Sequence, residues 1–182
     1  MKTRPLIFTA LFAALTAVGA FLQIPVGPVP VTLQFLFTAM AGILLGRRYG
    51  AASQLIYVAL GLAGLPVFTR GGGLGYVFQP SFGFLLGLIP CAWVIGFLSA
   101  RRSGPVWLAV SCAAGLAVLY LIGVPYMALI LNVYLEKSMD FTAILMAGMV
   151  PFLPGDAVKI AAAAVLCPAL QKRLCIFDEF RR

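Results

Sequence analysis

The sequence predicts an all-α integral membrane protein, folded as a bundle of six transmembrane helices. Three observations predict this class. Of the 182 residues, 63% are hydrophobic and only 10% are charged, whereas soluble domains carry about 25% charged residues. The charges leave long gaps, and crossing a bilayer takes roughly 20 mostly apolar residues. The Lys and Arg residues form short clusters between apolar segments, as they do at the ends of membrane-spanning helices.

Turn and charge signals place the six predicted helices. The first three are expected at about 5–24, 32–46 and 49–65. The prolines of "PVGPVPV" end the first because proline cannot continue a helix, an Arg-Arg pair ends the second, and Pro66 ends the third. The last three are expected at about 82–100, 105–131 and 156–173, with a mixed connector from Asn132 to Gly155 before the sixth.

The positive-inside rule orients this bundle with both termini in the cytoplasm. Ten basic residues then lie inside: Lys2, Arg4, Arg47, Arg48, Arg101, Arg102, Lys172, Arg173, Arg181 and Arg182. Only Arg70, Lys137 and Lys159 fall on the outer half. We therefore expect a multi-pass protein of the cell membrane, with one membrane domain at 1–174 and a short cytoplasmic tail at 175–182. A cleaved signal peptide is the alternative for the first helix, but its length and the five spans behind it argue against cleavage.

Composition also excludes several kinds of function. The formal charge is +8, yet the basic residues do not form the aromatic-interleaved patch that would indicate nucleic-acid binding. The chain has no His, which excludes imidazole zinc sites and Ser-His-Asp catalysis. Its four Cys lack metal-ligand spacing and are expected to be buried free thiols. Neither nucleotide-binding fingerprint occurs, so any ATPase would be another chain. No metal or cofactor is expected.

The three predicted outer loops are the unusual ones. They contain "PVGPVPVTLQ", "GLPVFTRGGGLGYVFQPS" and the 132–155 connector. Non-helical backbone at membrane depth is tolerated only where protein buries it or where it lines a cavity. Gly71, Gly72 and Gly73 permit positive φ angles and close backbone approach. We expect the loops between helices 1–2, 3–4 and 5–6 to cover a ligand pocket that opens outward. Ordinary flexible turns are the alternative, which the apolar residues among the glycines disfavour because solvated loops are usually polar.

Asp156 and Lys159 are the strongest candidates for ligand contacts. They lie one turn apart on one face of the last helix, in the apolar stretch "PFLPGDAVKIAAAAVL". Asp156 as a helix cap and Lys159 reaching outward would be a purely structural explanation. Ionisable residues inside a span are costly, however, and by default indicate function. Further polar candidates are Gln34, Gln54, Arg70, Tyr76, Gln79, Ser81 and Asn132, a set that suits a small ligand with a carboxylate and a polar head.

Together "PVPVTLQ", "GLAGLPVFTRGGGLGYVFQPSFGFLLG" and "PFLPGDAVK" resemble the BioY family, the substrate-binding S components of energy-coupling factor (ECF) biotin transporters. The resemblance covers nearly the whole chain. It implies a biotin site near the outer face, with Asp156 holding the ureido ring and Lys159 the valerate carboxylate. It places Gln34 at the first outer loop, and Gly71, Gly72, Gly73 and Tyr76 in the glycine-rich loop over the ligand.

The third motif departs from the family pattern. The family commonly reads Gly-Pro-Thr-Gly-Gly-Tyr where this chain has "QPSFGF", beginning at Gln79. A second base found just beyond that motif in some members is missing, and Arg70 is a candidate to replace it. Ala10 and Ala14 are four residues apart on the first helix, a spacing that allows close helix contact in membranes. In the family such a face docks the transmembrane coupling (T) subunit.

The implied function is capture of biotin outside and its delivery inward with a T subunit and ATPase subunits, without chemistry by this chain. The nearest alternative is the same fold binding another small carboxylated vitamin or a biotin precursor. An intramembrane enzyme using Asp156 and Lys159 as acid and base is disfavoured because the chain has no His and no second carboxylate within its spans. A structural membrane protein in which this pair only packs is the third alternative.

Overall fold

The computed structural model describes residues 3–25, 28–102 and 104–173. This part of the chain is mostly helical. Its α-helices are α1 (Thr3–Phe21), α2 (Gln34–Leu62), α3 (Phe82–Ser99), α4 (Pro105–Leu129), α5 (Phe141–Gly148) and α6 (Leu153–Arg173). Two short strands, β1 (Gln23–Ile24) and β2 (Val31–Thr32), pair antiparallel between α1 and α2. The predicted tail at 175–182, with Cys175, lies outside the described residues.

Helix α2 reverses direction at Gly46. The backbone of Gly46 is non-helical, with φ 73° and ψ −179°. The Gln34 Nε2 atom lies 2.9 Å from the Tyr57 hydroxyl, although in one continuous helix residues 23 positions apart would be about 35 Å apart. The segments 34–45 and 47–62, hereafter the first and second arms of α2, therefore run antiparallel. Gly50 lets the arms meet closely, since a Cβ there would lie 3.0 Å from the Cα of Gly42.

The prediction of an all-α membrane class agrees with the structure, whereas the number of helices differs. Four segments of the described chain are long and apolar enough to cross a membrane: Thr3–Phe21, Phe82–Ser99, Pro105–Tyr134 and Phe141–Lys172. The described residues form five long helices, because the predicted second and third helices are joined within α2. A single glycine reverses the chain there without a separate loop. The count of six membrane spans stays a prediction.

The segment predicted as the connector 132–155 has more structure than the sequence indicated. It contains the end of a π-helical turn (Ile130–Tyr134), helix α5 and a 3-10 turn (Val150–Phe152). The eight residues of α5 are too few to cross the bilayer by themselves. Helix α6 begins at Leu153, three residues before the predicted start, so Asp156 lies within its first turn.

The bundle is held together by packing of α2 on α1 and α3, of α3 on α4, and of α6 on α2 and α4. Cys91, Cys112 and Cys167 are buried free thiols in this core, as predicted. The outer faces of the helices are strongly apolar and include exposed Val106, Leu121, Val158 and Val165. Such faces suit a lipid surrounding.

Candidate functional site

A cavity opens at one end of the bundle. Its wall is made by the β2 region, the starts of α2, α3 and α6, the middle of α4, and the loop after α2. It encloses about 590 Å³ of space free of protein atoms, a volume that includes open solvent at its mouth. Its lining residues are Val29, Pro30, Thr32, Gln34, Phe35, Thr69, Tyr76, Ser81, Phe84, Leu85, Leu88, Leu119, Tyr120, Phe152, Asp156 and Lys159.

One wall of the cavity carries a buried ion pair. The Lys159 Nζ atom donates to Asp156 Oδ1 at 2.8 Å, and the Tyr120 hydroxyl donates to Asp156 Oδ2 at 2.5 Å. Asp156 is 4% exposed and Lys159 is 7% exposed. Buried charges are tolerated when they are paired and hydrogen-bonded. This wall therefore offers a carboxylate and an ammonium group to whatever enters the cavity.

The local sequence explains where these charges lie. Asp156 and Lys159 are three residues apart, so both side chains project from the same face of α6. Asp156 is in the first turn of the helix, where the positive end of the helix dipole stabilises a carboxylate. Tyr120 comes from the neighbouring helix α4, and its ring packs edge-on against Phe84 of α3 at 6.2 Å between ring centroids.

A second wall is polar but neutral. The Gln34 Oε1 atom accepts from the Thr32 hydroxyl at 2.9 Å, and its Nε2 atom donates to the Tyr57 hydroxyl at 2.9 Å. Tyr57 in turn donates to the carbonyl of Val67 at 3.0 Å. These bonds fix the orientation of the Gln34 amide and tie the start of α2 to the loop that follows its second arm.

Hydroxyl groups line the part of the cavity under the glycine-rich loop. The Tyr76 hydroxyl lies 2.8 Å from the Thr69 hydroxyl and 3.2 Å from that of Ser81. The Tyr76 ring stands against Phe68, with 4.6 Å between the ring centroids. Phe68 packs directly on Gly61, where a Cβ would lie only 2.0 Å from the Phe68 ring. This buried aromatic stack supports Tyr76 from behind.

The glycines of that loop shape the backbone and do not line the cavity. Gly71 and Gly73 have φ angles of 107° and 100°, a region that L side chains rarely adopt. The Gly73 N–H donates to the carbonyl of Gly61 at 2.7 Å. A Cβ on Gly72 would lie 2.1 Å from the carbonyl oxygen of Leu65. The three glycines thus fold the loop back onto the end of α2 and lead into the 3-10 turn that carries Tyr76.

The structure brings together only some of the residues that the sequence singled out. Asp156, Lys159, Gln34, Tyr76 and Ser81 line the cavity. Four other candidates lie elsewhere: Arg70, Gln79, Asn132 and Gln54. Arg70 is exposed on the loop and Gln79 is half-buried near it. The Asn132 side chain bonds the backbone of Met139 through both its amide atoms, at 2.7 and 2.9 Å.

Gln54 is completely buried and belongs to a separate polar cluster. Its Nε2 atom donates to the hydroxyls of Ser53 and Thr16 at 3.0 and 3.2 Å, and its Oε1 atom accepts from Thr38 at 3.0 Å. Thr16 is on α1, so these bonds join α1 to both arms of α2. Polarity alone does not distinguish Gln34 from Gln54, because the register of the α2 hairpin decides which one faces the cavity.

Sequence reasoning missed three polar contributors to the cavity, which are Tyr120, Thr32 and Thr69. Tyr120 stands in a long uncharged run, where an aromatic residue is expected to be ordinary core. Its hydroxyl was the available signal, because a phenol within a membrane span needs a hydrogen-bond partner. Thr32 precedes Gln34 and Thr69 precedes Arg70, so both lie in motifs that the sequence had already marked.

Ala10 and Ala14 lie on the outside of the bundle. Both are exposed on α1, beside exposed Ile7, Leu11 and Val18. Ala13 is buried and faces the interior. The outer face of α1 therefore combines two small side chains with larger apolar ones.

An apolar helical bundle with a partly charged cavity at one end defines a multi-pass membrane protein with a binding site for a small solute. The family model described as the BioY family matches residues 1–175. This chain belongs to the BioY family. Membership places it among transporter subunits and not among enzymes.

Individual proteins similar to this chain are also BioY proteins or S-components. A protein of Lysinibacillus sphaericus named as a probable biotin transporter BioY is 44% identical over 173 residues, covering 94% of this chain and 88% of that protein. The biotin transporter BioY of Thermotoga maritima is 39% identical over 170 residues, covering 93% of this chain and 96% of the relative. A crystal structure of the S-component for biotin from an ECF-type ABC transporter superposes with a TM-score of 0.87 at 27% identity, over 100% of this chain and 97% of the other.

Proposed function

We propose that this chain is the biotin-binding S component of an ECF-type transporter. The observation that carries the proposal is the buried Asp156–Lys159 pair on the cavity wall of a BioY-family bundle. Relatives named as biotin transporters, and the solved S-component for biotin, support biotin as the ligand.

The chemistry of biotin fits the two walls. Biotin has a cyclic urea with two N–H donors and one carbonyl, an apolar bicyclic body, and a carboxylate on a flexible chain. Asp156 accepts from a urea N–H group, and Lys159 pairs with the carboxylate. Gln34 and Tyr76 supply neutral polar contacts, while Phe84 and Leu119 contact the apolar parts.

The remaining candidates take indirect roles in this proposal. Gly71, Gly72 and Gly73 shape the loop that presents Tyr76. Arg70, Gln79 and Asn132 would contact the ligand only after movement of the loops, since they lie away from the cavity wall. Lys159 therefore suffices as the cation for the carboxylate, and Arg70 is a second one only in a closed form.

We propose that the chain spans the membrane six times, with each arm of α2 forming one pass. The arms are about 18 and 24 Å long at ~1.5 Å per residue. The hydrocarbon core is about 30 Å thick, so adjoining segments or local thinning of the bilayer complete these two passes.

The proposed orientation has the cavity outside and both termini in the cytoplasm. The reversal of α2, the end of α3 and the start of α4 meet at the end opposite the cavity. There the Arg47 and Arg101 guanidiniums both lie over the ring of Phe97, at 5.7 and 4.4 Å from its centroid. The Gln171 side chain bonds the carbonyl of Ile43 nearby, which brings the end of α6 to the same place. Concentration of positive charge at this end supports a cytoplasmic location.

The energising partners are proposed to be a T subunit and ATPase subunits in the same membrane. The exposed face with Ala10 and Ala14 is the proposed docking surface for the T subunit, because small residues permit close contact between helices. ATP hydrolysis in those partners would drive delivery of biotin inward.

Equilibrium binding of labelled biotin to the purified chain in detergent tests the proposed ligand. We expect saturable binding that excess biotin displaces and that other carboxylated vitamins and biotin precursors displace poorly. Displacement by another vitamin at lower concentration than biotin would replace biotin as the ligand. Absence of biotin binding by well-folded protein would contradict the proposal.

A further inference from the structure

The ligand-facing carboxylate of Asp156 is held by donors from two different helices. Lys159 of α6 binds its Oδ1 atom and Tyr120 of α4 binds its Oδ2 atom. We propose that Tyr120 is a positioning residue, which fixes the Asp156 carboxylate so that a remaining lone pair faces an N–H donor of the ligand. The inference rests on the proposed function and assigns to Tyr120 a role that the sequence did not indicate.

The first step concerns the capacity of the carboxylate. An ionised carboxylate has about four lone-pair positions on its two oxygens. The two internal hydrogen bonds occupy one position on each oxygen, so each oxygen keeps capacity for one more donor. The two N–H groups of a cyclic urea point to opposite sides of its carbonyl, so one of them can bind an Asp156 oxygen without displacing either internal partner.

The second step concerns orientation. Lys159 and Asp156 are on the same helix, and the lysine side chain is long and flexible, so this pair alone leaves the plane of the carboxylate free to turn. Tyr120 is on another helix, and its rigid ring is supported by Phe84. A donor from that direction fixes the second oxygen, and a preset acceptor reduces the entropy cost of binding.

The third step concerns charge when a ligand anion arrives. A carboxylate near Lys159 draws the ammonium partly away from Asp156. A buried carboxylate without a partner is strongly unfavourable. The Tyr120 hydrogen bond remains, so Asp156 keeps a donor while Lys159 is shared between two anions. Tyr120 thereby makes the sharing of one lysine possible.

A double-mutant cycle separates positioning from general packing. Tyr120→Phe keeps the ring and its contact with Phe84, and removes only the hydroxyl. We expect biotin to bind about 10- to 100-fold more weakly to this variant, as for a lost hydrogen bond to a charged group. In the Asp156→Asn background, the same substitution should change the dissociation constant less than about threefold, because the carboxylate that it acts through is gone.

Tyr134→Phe is the matched control. Tyr134 follows α4, is exposed and stacks on Phe78 away from the cavity, so its substitution should leave biotin affinity unchanged. Thermal unfolding of each ligand-free variant verifies that the proteins compared are folded.

The ligand provides a second form of the cycle if Asp156→Asn binds too weakly to measure. A biotin analogue methylated at one urea nitrogen lacks one N–H donor. Methylation should reduce affinity much more for the wild type than for Tyr120→Phe. The positioning role would be overturned if methylation weakened biotin binding equally in the wild type and in Tyr120→Phe. It would also be overturned if Tyr120→Phe weakened biotin binding equally in the wild-type and Asp156→Asn backgrounds.

The outcomes also separate this inference from the proposed function. Wild type that binds biotin and a Tyr120→Phe variant that binds it equally well would refute only the role of Tyr120. Folded wild type that does not bind biotin would refute the proposed ligand, and the positioning role for it would fall as well.

Discussion

Two buried polar clusters in this bundle differ in one important respect. The charged cluster consists of Asp156, Lys159 and Tyr120 and borders the cavity. The neutral cluster consists of Gln54, Ser53, Thr38 and Thr16 and is sealed, with each of its residues 0% exposed. Among the described residues, no buried side-chain nitrogen or oxygen lacks a hydrogen-bond partner. Both clusters are therefore internally satisfied, yet only one can also reach a ligand.

The free-energy cost of burial also differs between the two clusters. A neutral amide whose donors and acceptors are satisfied is well tolerated in a core, and it joins α1 to the two arms of α2. An ionisable residue within a span costs about 2.5–3.5 kcal/mol on insertion scales. Replacing a buried ion pair with apolar residues is often neutral or stabilising. The charged cluster is thus poorly explained by stability, whereas the neutral cluster is well explained by it.

The largest expected effect on binding comes from Lys159→Met. Loss of a buried charge partner typically costs about 2–5 kcal/mol, which corresponds to a roughly 30- to 4,000-fold higher dissociation constant for biotin. Biotin methyl ester should bind wild type much more weakly than biotin does, and should bind the variant about as well as biotin does. Titration of both ligands against both proteins measures this.

Lys137→Met is the control for the lost charge. Lys137 is exposed in the segment between α4 and α5 and is absent from the cavity wall, so its substitution should leave biotin affinity within about twofold. An ester that discriminates equally against wild type and Lys159→Met would show that Lys159 is not the carboxylate partner.

Gly72→Ala should have an intermediate effect. The added Cβ would collide with the carbonyl of Leu65, and relief of such overpacking costs about 1–3 kcal/mol. The loop must shift, and with it Tyr76, so biotin should bind about tenfold more weakly. Gly75→Ala is the matched control because a Cβ there meets nothing within 4 Å. Equal affinities of the two variants would show that the loop geometry is irrelevant to binding.

The smallest effect is expected for Arg70→Ala. Arg70 is exposed and outside the cavity wall, and surface substitutions usually change free energies by less than about 0.5 kcal/mol. Biotin affinity should therefore change by no more than about twofold in the same titration. A tenfold loss would instead indicate that the loop closes on the ligand and brings Arg70 to its carboxylate.

The sequence predicted long apolar helices better than their joints. The predicted helix at 82–100 agrees with α3 within one residue, because proline, glycine and charge signals bound it on both sides. At Gly46 the chain reverses and joins two predicted helices into one element. The sequence shows that a glycine is present there, but it does not show which φ angle the glycine adopts. Helix α5 was missed because its apolar run is short and follows a charged segment.

The site was predictable where charge stands out from an apolar background. Asp156 and Lys159 are recognisable for that reason, and the structure places both on the cavity wall. Gln34 was also marked by the motif "PVPVTLQ", whereas Gln54 was only a polar residue within a span, and the hairpin register places Gln34 alone on the cavity wall. Tyr120 was missed because its importance depends on Asp156, 36 residues away, and such a distance is closed only by tertiary packing.

The most direct test of the account compares two variants in the same assays. Asp156→Asn/Lys159→Met neutralises the charged cluster, and Gln54→Met removes the centre of the neutral cluster. The double variant should unfold at the same or a higher temperature than ligand-free wild type, and should bind biotin at least 100-fold more weakly. Gln54→Met should lose about 1–3 kcal/mol of stability and bind biotin within about threefold of wild type. A destabilised double variant with unchanged affinity, or a folded Gln54→Met protein that has lost biotin binding, would contradict the division between the two clusters.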